Sequence, residues 1–261
     1  MSKNHFHFAY IDAFAGTGYY KENDDQYKQL SLPLFGDQEK AFFDGSARIA
    51  LNIEPSFEKY IFIEKDISRF GELRNLSKDF PEKKNRIKII NEEANYYLKK
   101  ICMKNWLKHR AVVFLDPFGM QIKWETLKVI AETKSIDLWF LFPLGQAVNR
   151  LFRKDGKIID SNKRRLDDIF GTKGWFDAFY NEFEEIDVIN GVQKRITKTA
   201  SFKTIKDFFI SRLELIFEAV SKSPRVLMNS TNNPLYLLCF AVGNKKGAPT
   251  AIKIADHILK S

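Results

Sequence analysis

The chain has 261 residues, of which 44% are hydrophobic and 24 are phenylalanine, enough to bury a full core and to exclude disorder. Its formal charge of +9 favours a polyanionic partner, held through phosphate contacts. No apolar run approaches the ~20 residues of a bilayer span, and Met1 to His5 leads into no long apolar stretch, so we expect no membrane segment, no signal peptide and a cytoplasmic protein.

In chain order, the apolar run from Phe8 to Ile11 reads as a buried strand ending at Asp12 and the turn Gly16-Thr17-Gly18. Glycines are needed where backbone must approach a ligand closely or take positive φ. Residues 19–43 are polar, with Pro33 and Gly36, and read as a long excursion, a candidate lid or substrate loop. Ser46 is expected to N-cap a helix that ends before Pro55. Tyr60 to Ile63 forms a second strand closing on Glu64, followed by a helix from about Ile67 to Phe80. A third strand, Ile87 to Ile90, ends at Asn91-Glu92-Glu93-Ala94-Asn95, with a helix from about Tyr96 to Lys108. The fourth, Ala111 to Leu115, ends at Asp116-Pro117-Phe118-Gly119 and leads to a helix from Trp124 to Thr133. Ile136 to Phe142 is the fifth.

The alternation then stops. Helical patterns cover Arg164–Phe170, Trp175–Phe183 and Thr204–Val220, with a short strand near Ile186–Ile189. Two strands, Arg225–Met228 and Leu235–Val242, are joined by too few residues for a parallel crossover, so the last pair should be antiparallel. A helix from about Ala248 to Leu259 closes the chain. This order predicts an α/β, Rossmann-like class I methyltransferase fold: a mostly parallel, seven-stranded sheet with an antiparallel last strand. Residues 1–143 and 225–261 form its core. Residues 144–224 form a mainly helical insertion, a candidate substrate- or partner-binding region.

In doubly wound sheets the ligand lies across the carboxyl ends of the strands. Gly16 and Gly18, with Phe14 between the acid and the glycines, suit the amino-acid and ribose part of a cofactor, and Asp12 its ammonium, directly or through water. Glu64 can grip two ribose hydroxyls, since a carboxylate offers two acceptors. Glu93 could meet an adenine amine, with Asn91 or Glu92 as alternatives. Asp116 with Pro117 and Phe118 is the most specific set. A carboxylate and a backbone carbonyl accepting both N–H protons of an exocyclic amine orient its lone pair, and the ring can stack on a flipped base. S-adenosylmethionine is the cofactor this pattern fits. A P-loop is excluded by the absence of its signature, and the third glycine of the dinucleotide fingerprint is missing. No cluster has metal-ligand spacing, and Cys102 and Cys239 read as reduced core thiols. The basic run Lys163-Arg164-Arg165 is a candidate substrate grip.

The ordered set Asp12-Ala13-Phe14-Ala15-Gly16-Thr17-Gly18, Asp44-Gly45-Ser46, Phe62-Ile63-Glu64-Lys65-Asp66, Leu115-Asp116-Pro117-Phe118-Gly119, Asp137-Leu138 with Phe142-Pro143, and Pro234-Leu235-Tyr236 resembles the three-Cys-motif partner (TcmP) family over most of the chain. The resemblance implies a partner protein that carries a three-cysteine, radical-SAM-like motif. The first glycine motif with its long insert is also similar to a bacterial ribosomal-RNA adenine-N6 methyltransferase group. That group has Asp-Pro-Pro-Tyr where this chain has Asp-Pro-Phe-Gly, which looks instead like the motif of tRNA guanine-N2 dimethyltransferases. The function expected is S-adenosylmethionine-dependent methylation of an exocyclic nucleobase amine in RNA or DNA. The alternative is a non-catalytic subunit of the same fold that binds nucleic acid or the three-Cys-motif partner.

Overall fold

The computed structural model describes residues 6–18, 45–187 and 191–260. The expected loop at 19–43 lies outside them. Ten strands are found among the described residues: β1 His7–Asp12, β2 Lys59–Ile63, β3 Ile87–Ile90, β4 His109–Leu115, β5 Ile136–Phe142, β6 Tyr180–Asp187, β7 Gly191–Lys198, β8 Ala219–Val220, β9 Arg225–Met228 and β10 Pro234–Val242. The main sheet runs β3-β2-β1-β4-β5-β10-β8, with β9 also on β10. Strands β1 to β5 are mutually parallel, and β10 is antiparallel to β5, β8 and β9.

The predicted core strands β1 to β5 and the antiparallel β10 are all present. The sheet has eight strands because its outermost position is divided. β8 and β9 pair with opposite ends of β10, Ala241 with Val220 and Leu238 with Arg225. Between them, the Ser221 amide donates to the Phe240 carbonyl at 3.0 Å and its hydroxyl bonds Asp256.

The alternation of β4 and β5 explains the core. Ala111, Val113 and Leu115, and Ile136, Leu138, Phe140 and Phe142, are buried, as expected for strands covered by helices. Helix Phe202–Glu214 lies against this sheet, with the Phe209 ring stacked on Phe142 at 3.9 Å between centroids. Phe170 adds a third ring beside Phe142 at 6.0 Å. One hydrophobic cluster thus runs from the sheet through residues of the 144–224 segment, including Leu166, Phe179 and Leu213. Phe209→Ala should lower stability by about 3–5 kcal/mol, the usual range for deleting a buried ring, measured as a drop in the urea midpoint.

Several helices differ from the sequence expectation. The second helix breaks into Ile67–Leu73 and Leu76–Asp79. The third spans Ala94–Cys102, starting earlier because Glu93 caps it and ending before Trp106, whose indole N–H returns to the Ile101 carbonyl at 3.2 Å. The helix expected over Trp175–Phe183 stops at Phe179, and the chain becomes β6. Its apolar spacing fits a helix locally, but pairing with β7 over eight residues of each strand decides the outcome. Helix Phe202–Glu214 stops short of Val220, which enters β8. No helix among the described residues is long and apolar enough to cross a membrane.

Candidate functional site

The strand order reverses at β1, which lies between β2 and β4. This switch point is where ligands bind in such sheets. Asp12, the last residue of β1, is in register with Phe62 of β2 and Phe114 of β4. Glu64 and Asp116 each stand two residues beyond those partners. Register therefore brings three acids from distant parts of the chain to one end of the sheet.

The turn after β1 is tied to both neighbours. The Ala13 amide donates to the Phe114 carbonyl at 3.1 Å and the Ala15 amide to the Ile63 carbonyl at 3.0 Å. Gly16 and Gly18 have φ of +59° and +83°. Among the described residues, a Cβ at Gly16 would meet nothing within 4 Å, whereas one at Gly18 would press on Leu73 and Leu76 at 3.3 Å. Gly18 is therefore packed, and Gly16 faces open space. The Gly16 amide donates to Glu64 Oε2 at 3.0 Å, and the Asp66 amide to Glu64 Oε1 at 2.7 Å. Asn91 donates to the carbonyls of Glu64 and Lys65 at 2.8 and 2.9 Å, fixing the end of β2.

Asp12 is fully buried. It accepts from the Phe14 amide at 3.1 Å and the Ser46 hydroxyl at 2.5 Å. Ser46 is thus no N-cap: Gly45 takes that position, and the serine side chain turns to the acid instead. Burial pushes Asp12 up to about 6, assisted by the charge of Glu64 and opposed by the two hydrogen bonds. Asp116 rises further, to about 7, first through burial and then through the charge of Asp12. It is part-exposed at the surface of the site, and its carboxylate forms no hydrogen bond or ion pair among the described residues. Burial, then Asp12 and Asp116, also hold the Tyr10 hydroxyl well above its ordinary range. This end of the sheet gathers three carboxyl groups in a chain of formal charge +9. It suits a cationic or N–H-donating ligand.

Pro117 is buried and Phe118 is 62% exposed. Across from Gly119, whose Cβ position lies 4.0 Å from the Ala147 side chain, runs a π-helical turn, Leu144–Val148. Gly145 in that turn permits a close approach to β10, since a Cβ there would lie 1.7 Å from the Pro234 carbonyl oxygen and 3.5 Å from the Phe202 ring. The sequence pattern carried no signal for this wall.

Glu93 and Asn95 serve the architecture. Glu93 accepts from the amides of Asn95 and Tyr96 at 3.0 and 2.9 Å and from the Asn95 side chain at 2.6 Å. Burial alone would raise its pKa, but these bonds prevail and hold it below the ordinary value. Asn95 uses all four side-chain positions: it donates to Glu93 and the Gln121 carbonyl, and accepts from the Lys123 amide and the Thr126 hydroxyl. Asn95 therefore pins the segment after Asp116 and keeps no group for a ligand. Asn95→Ala should cost about 2–4 kcal/mol, because the buried Thr126 hydroxyl and the Lys123 amide lose their acceptor. Thermal melting would show it.

Lys163, Arg164 and Arg165 are exposed on helix Asp160–Phe170, which packs on helices Trp124–Glu132 and Trp175–Phe179. Lys163 pairs with Asp160 at 3.7 Å. This triplet stands on a different element from the strand ends.

No family model matches the sequence, and no curated protein matches it. Among solved structures, the chain is similar to a Legionella pneumophila protein of family DUF519, with 13% identity, 97% of this chain and 83% of that chain covered, and a TM-score of 0.50. A spermidine synthase from Thermotoga maritima aligns at 13% identity over 92% of this chain and 55% of that chain, TM-score 0.41. An S-adenosylmethionine-dependent methyltransferase from Mesorhizobium loti aligns at 9% identity over 90% of each chain, TM-score 0.38. The sheet order, five parallel strands with an antiparallel β10 beside β5, makes the fold Rossmann-like with a mostly parallel central sheet.

Proposed function

We propose that the chain is an S-adenosylmethionine-dependent methyltransferase that modifies an exocyclic nucleobase amine in RNA or DNA, and that it is a member of the TcmP family, which its motif order resembles. The observation that carries this reading is the unpartnered Asp116 carboxylate beside Asp12 at the switch point. The open space before Gly16 and the three converging acids fit a cofactor bearing an ammonium and a sulfonium. Asp12, Phe14, Gly16, Gly18 and Glu64 would hold it, with Glu93 shaping the neighbouring loop. When bound, the cofactor supplies an electrophilic methyl group.

The protein's own part is mainly positioning. Asp116 accepts an N–H of the acceptor amine, and the Pro117 backbone holds the adjoining carbonyl in place. Exposed Phe118 offers a face on which a planar base can stack. After attack the amine must lose a proton. Asp116, with a pKa near neutrality, is matched to receive it. The Lys163-Arg164-Arg165 triplet and the rest of the 144–224 segment would contact the polynucleotide or a partner protein.

Calorimetry with S-adenosylmethionine, followed by transfer of a labelled methyl group to total RNA and to DNA, tests the reading. Heat on binding and label in one nucleic acid are expected. No heat would overturn the enzyme. Heat without label in either polymer would overturn the nucleic-acid acceptor.

A further inference from the structure

Strand β3 is the end of the main sheet, paired only with β2 among the described residues. Beside it, a groove of about 360 Å³ runs between β3 and the helix Ala94–Cys102 with the turn that follows. Lys88 comes from the strand, and Lys100 and Lys104 from the helical side. Tyr97 and Asn91 also line it, and Glu92 is the carboxylate in its wall. None of the three lysine side chains forms a hydrogen bond or ion pair with another described residue. Lys100 instead stands over the ring of Tyr96, 6.0 Å from its centroid. That ring is 57% exposed.

Three unpaired cations along one groove repel each other, so the arrangement is stabilised by an anion that spans them. Lys100 stands in the last turn of the helix and Lys104 in the turn that follows it, so the two charges come from successive stretches of the groove wall. A neighbouring exposed aromatic ring adds a stacking platform. A positive groove with an aromatic beside it is the architecture that holds single-stranded nucleic acid without reading its sequence. The groove also begins where the cofactor half of the site ends: the Glu64 amide donates to the Ile90 carbonyl at 3.0 Å, and Asn91 bonds the Glu64 carbonyl.

We infer that the β3 edge groove is a second polynucleotide-binding surface, taking the phosphate backbone of a single strand on Lys88, Lys100 and Lys104 and stacking one base on Tyr96. The inference rests on the nucleic-acid reading above and adds a surface on the opposite side of the cofactor site from the Phe118 wall.

The test is fluorescence anisotropy with a labelled single-stranded RNA of about 20 nucleotides, and the DNA of the same sequence, over a range of salt. Lys88→Glu/Lys100→Glu/Lys104→Glu should weaken binding by about tenfold or more. It should flatten the log–log salt dependence by about 2, at roughly 0.7 per lost phosphate contact. Tyr96→Ala should weaken binding about fivefold or more and leave the salt slope unchanged. The Lys→Gln triple variant, which adds no repulsion, should show the same flattened slope. Wild-type protein that binds neither polymer would overturn both the nucleic-acid reading and this one. Wild-type binding that both triple variants retain, with the same slope, would overturn the groove alone. Poly-glutamate that binds as tightly as the RNA, and is lost in the same variants, would assign the groove to an acidic protein and overturn the proposal.

Discussion

Asp116→Asn is expected to abolish methyl transfer and, at the same time, to make the protein more stable at pH 8. The loss should be about 10²–10³-fold in kcat, the size seen when one well-aimed group facing a reaction centre is removed. Binding of S-adenosylmethionine should be nearly unchanged, because the proposed mechanism sets Asp116 against the methyl acceptor and not the cofactor.

The stability gain follows from the pKa. The Asp116 carboxyl lies at about 7 in the folded chain, against an ordinary 3.8, because burial and the Asp12 charge disfavour its ionised form. Between those values the folded state holds a proton that the unfolded state has released. Stability therefore falls as pH rises through this window, and the full penalty applies above about 7. Asparagine carries no charge to penalise. Discounted for the partial exposure of Asp116, the gain is on the order of 2 kcal/mol, or about 5 °C in melting temperature for a chain of this size. At pH 4 the two proteins should melt alike. The same titration sets the activity profile: transfer should rise through about pH 7 as Asp116 ionises and accepts the amine. A variant that is inactive but less stable at pH 8 would contradict the placement of an unpaired carboxylate at this position.

Gly16→Arg is expected to remove S-adenosylmethionine binding while leaving the fold intact. The arginine side chain would enter open space, so no packing is lost. The positive φ of Gly16 makes any side chain there cost about 1–2 kcal/mol. Affinity should fall at least ~100-fold, about 2.7 kcal/mol. Arginine fills the cradle and places a cation among Asp12, Glu64 and Asp116. Gly18→Ala gives the opposite result. Its Cβ would crowd Leu73 and Leu76, so melting temperature should fall, with a smaller effect on affinity once folded. Calorimetry and melting curves on the two variants separate these outcomes. If Gly16→Arg binds the cofactor like the wild type, the glycine turn is not its cradle.

The parallel strands were legible because each is an apolar run of strand length that closes on an acid, a polar turn or a proline. β5 was read to the residue, since alternating buried positions and a following proline mark both its ends. Helix ends were less legible. Ser46 looks like an N-cap from its neighbours, but a buried aspartate 34 positions earlier takes its hydroxyl. Glu93 is an uncommon capping residue, so the local pattern starts the helix after β3 at about Tyr96, two residues later than the Ala94 the cap sets. Asn95 shows the same limit: nothing local indicates that its four partners come from residues 93, 121, 123 and 126.

By itself, the sequence determined the class of fold and the identity of the acids at the strand ends. Both follow from local composition: apolar runs bury, glycines turn, and a linker too short for a parallel crossover forces antiparallel pairing of the last strands. Only the tertiary structure decided the register that sets Asp12, Glu64 and Asp116 at one end of the sheet, since pairing joins strands about 50 residues apart or more. It also decided that Trp175–Phe183 ends in a hairpin strand, that the outer strand is split into β8 and β9, and that Lys88 meets Lys100 and Lys104 at the sheet edge. Each of these depends on which distant segment arrives alongside, and local periodicity carries no record of that.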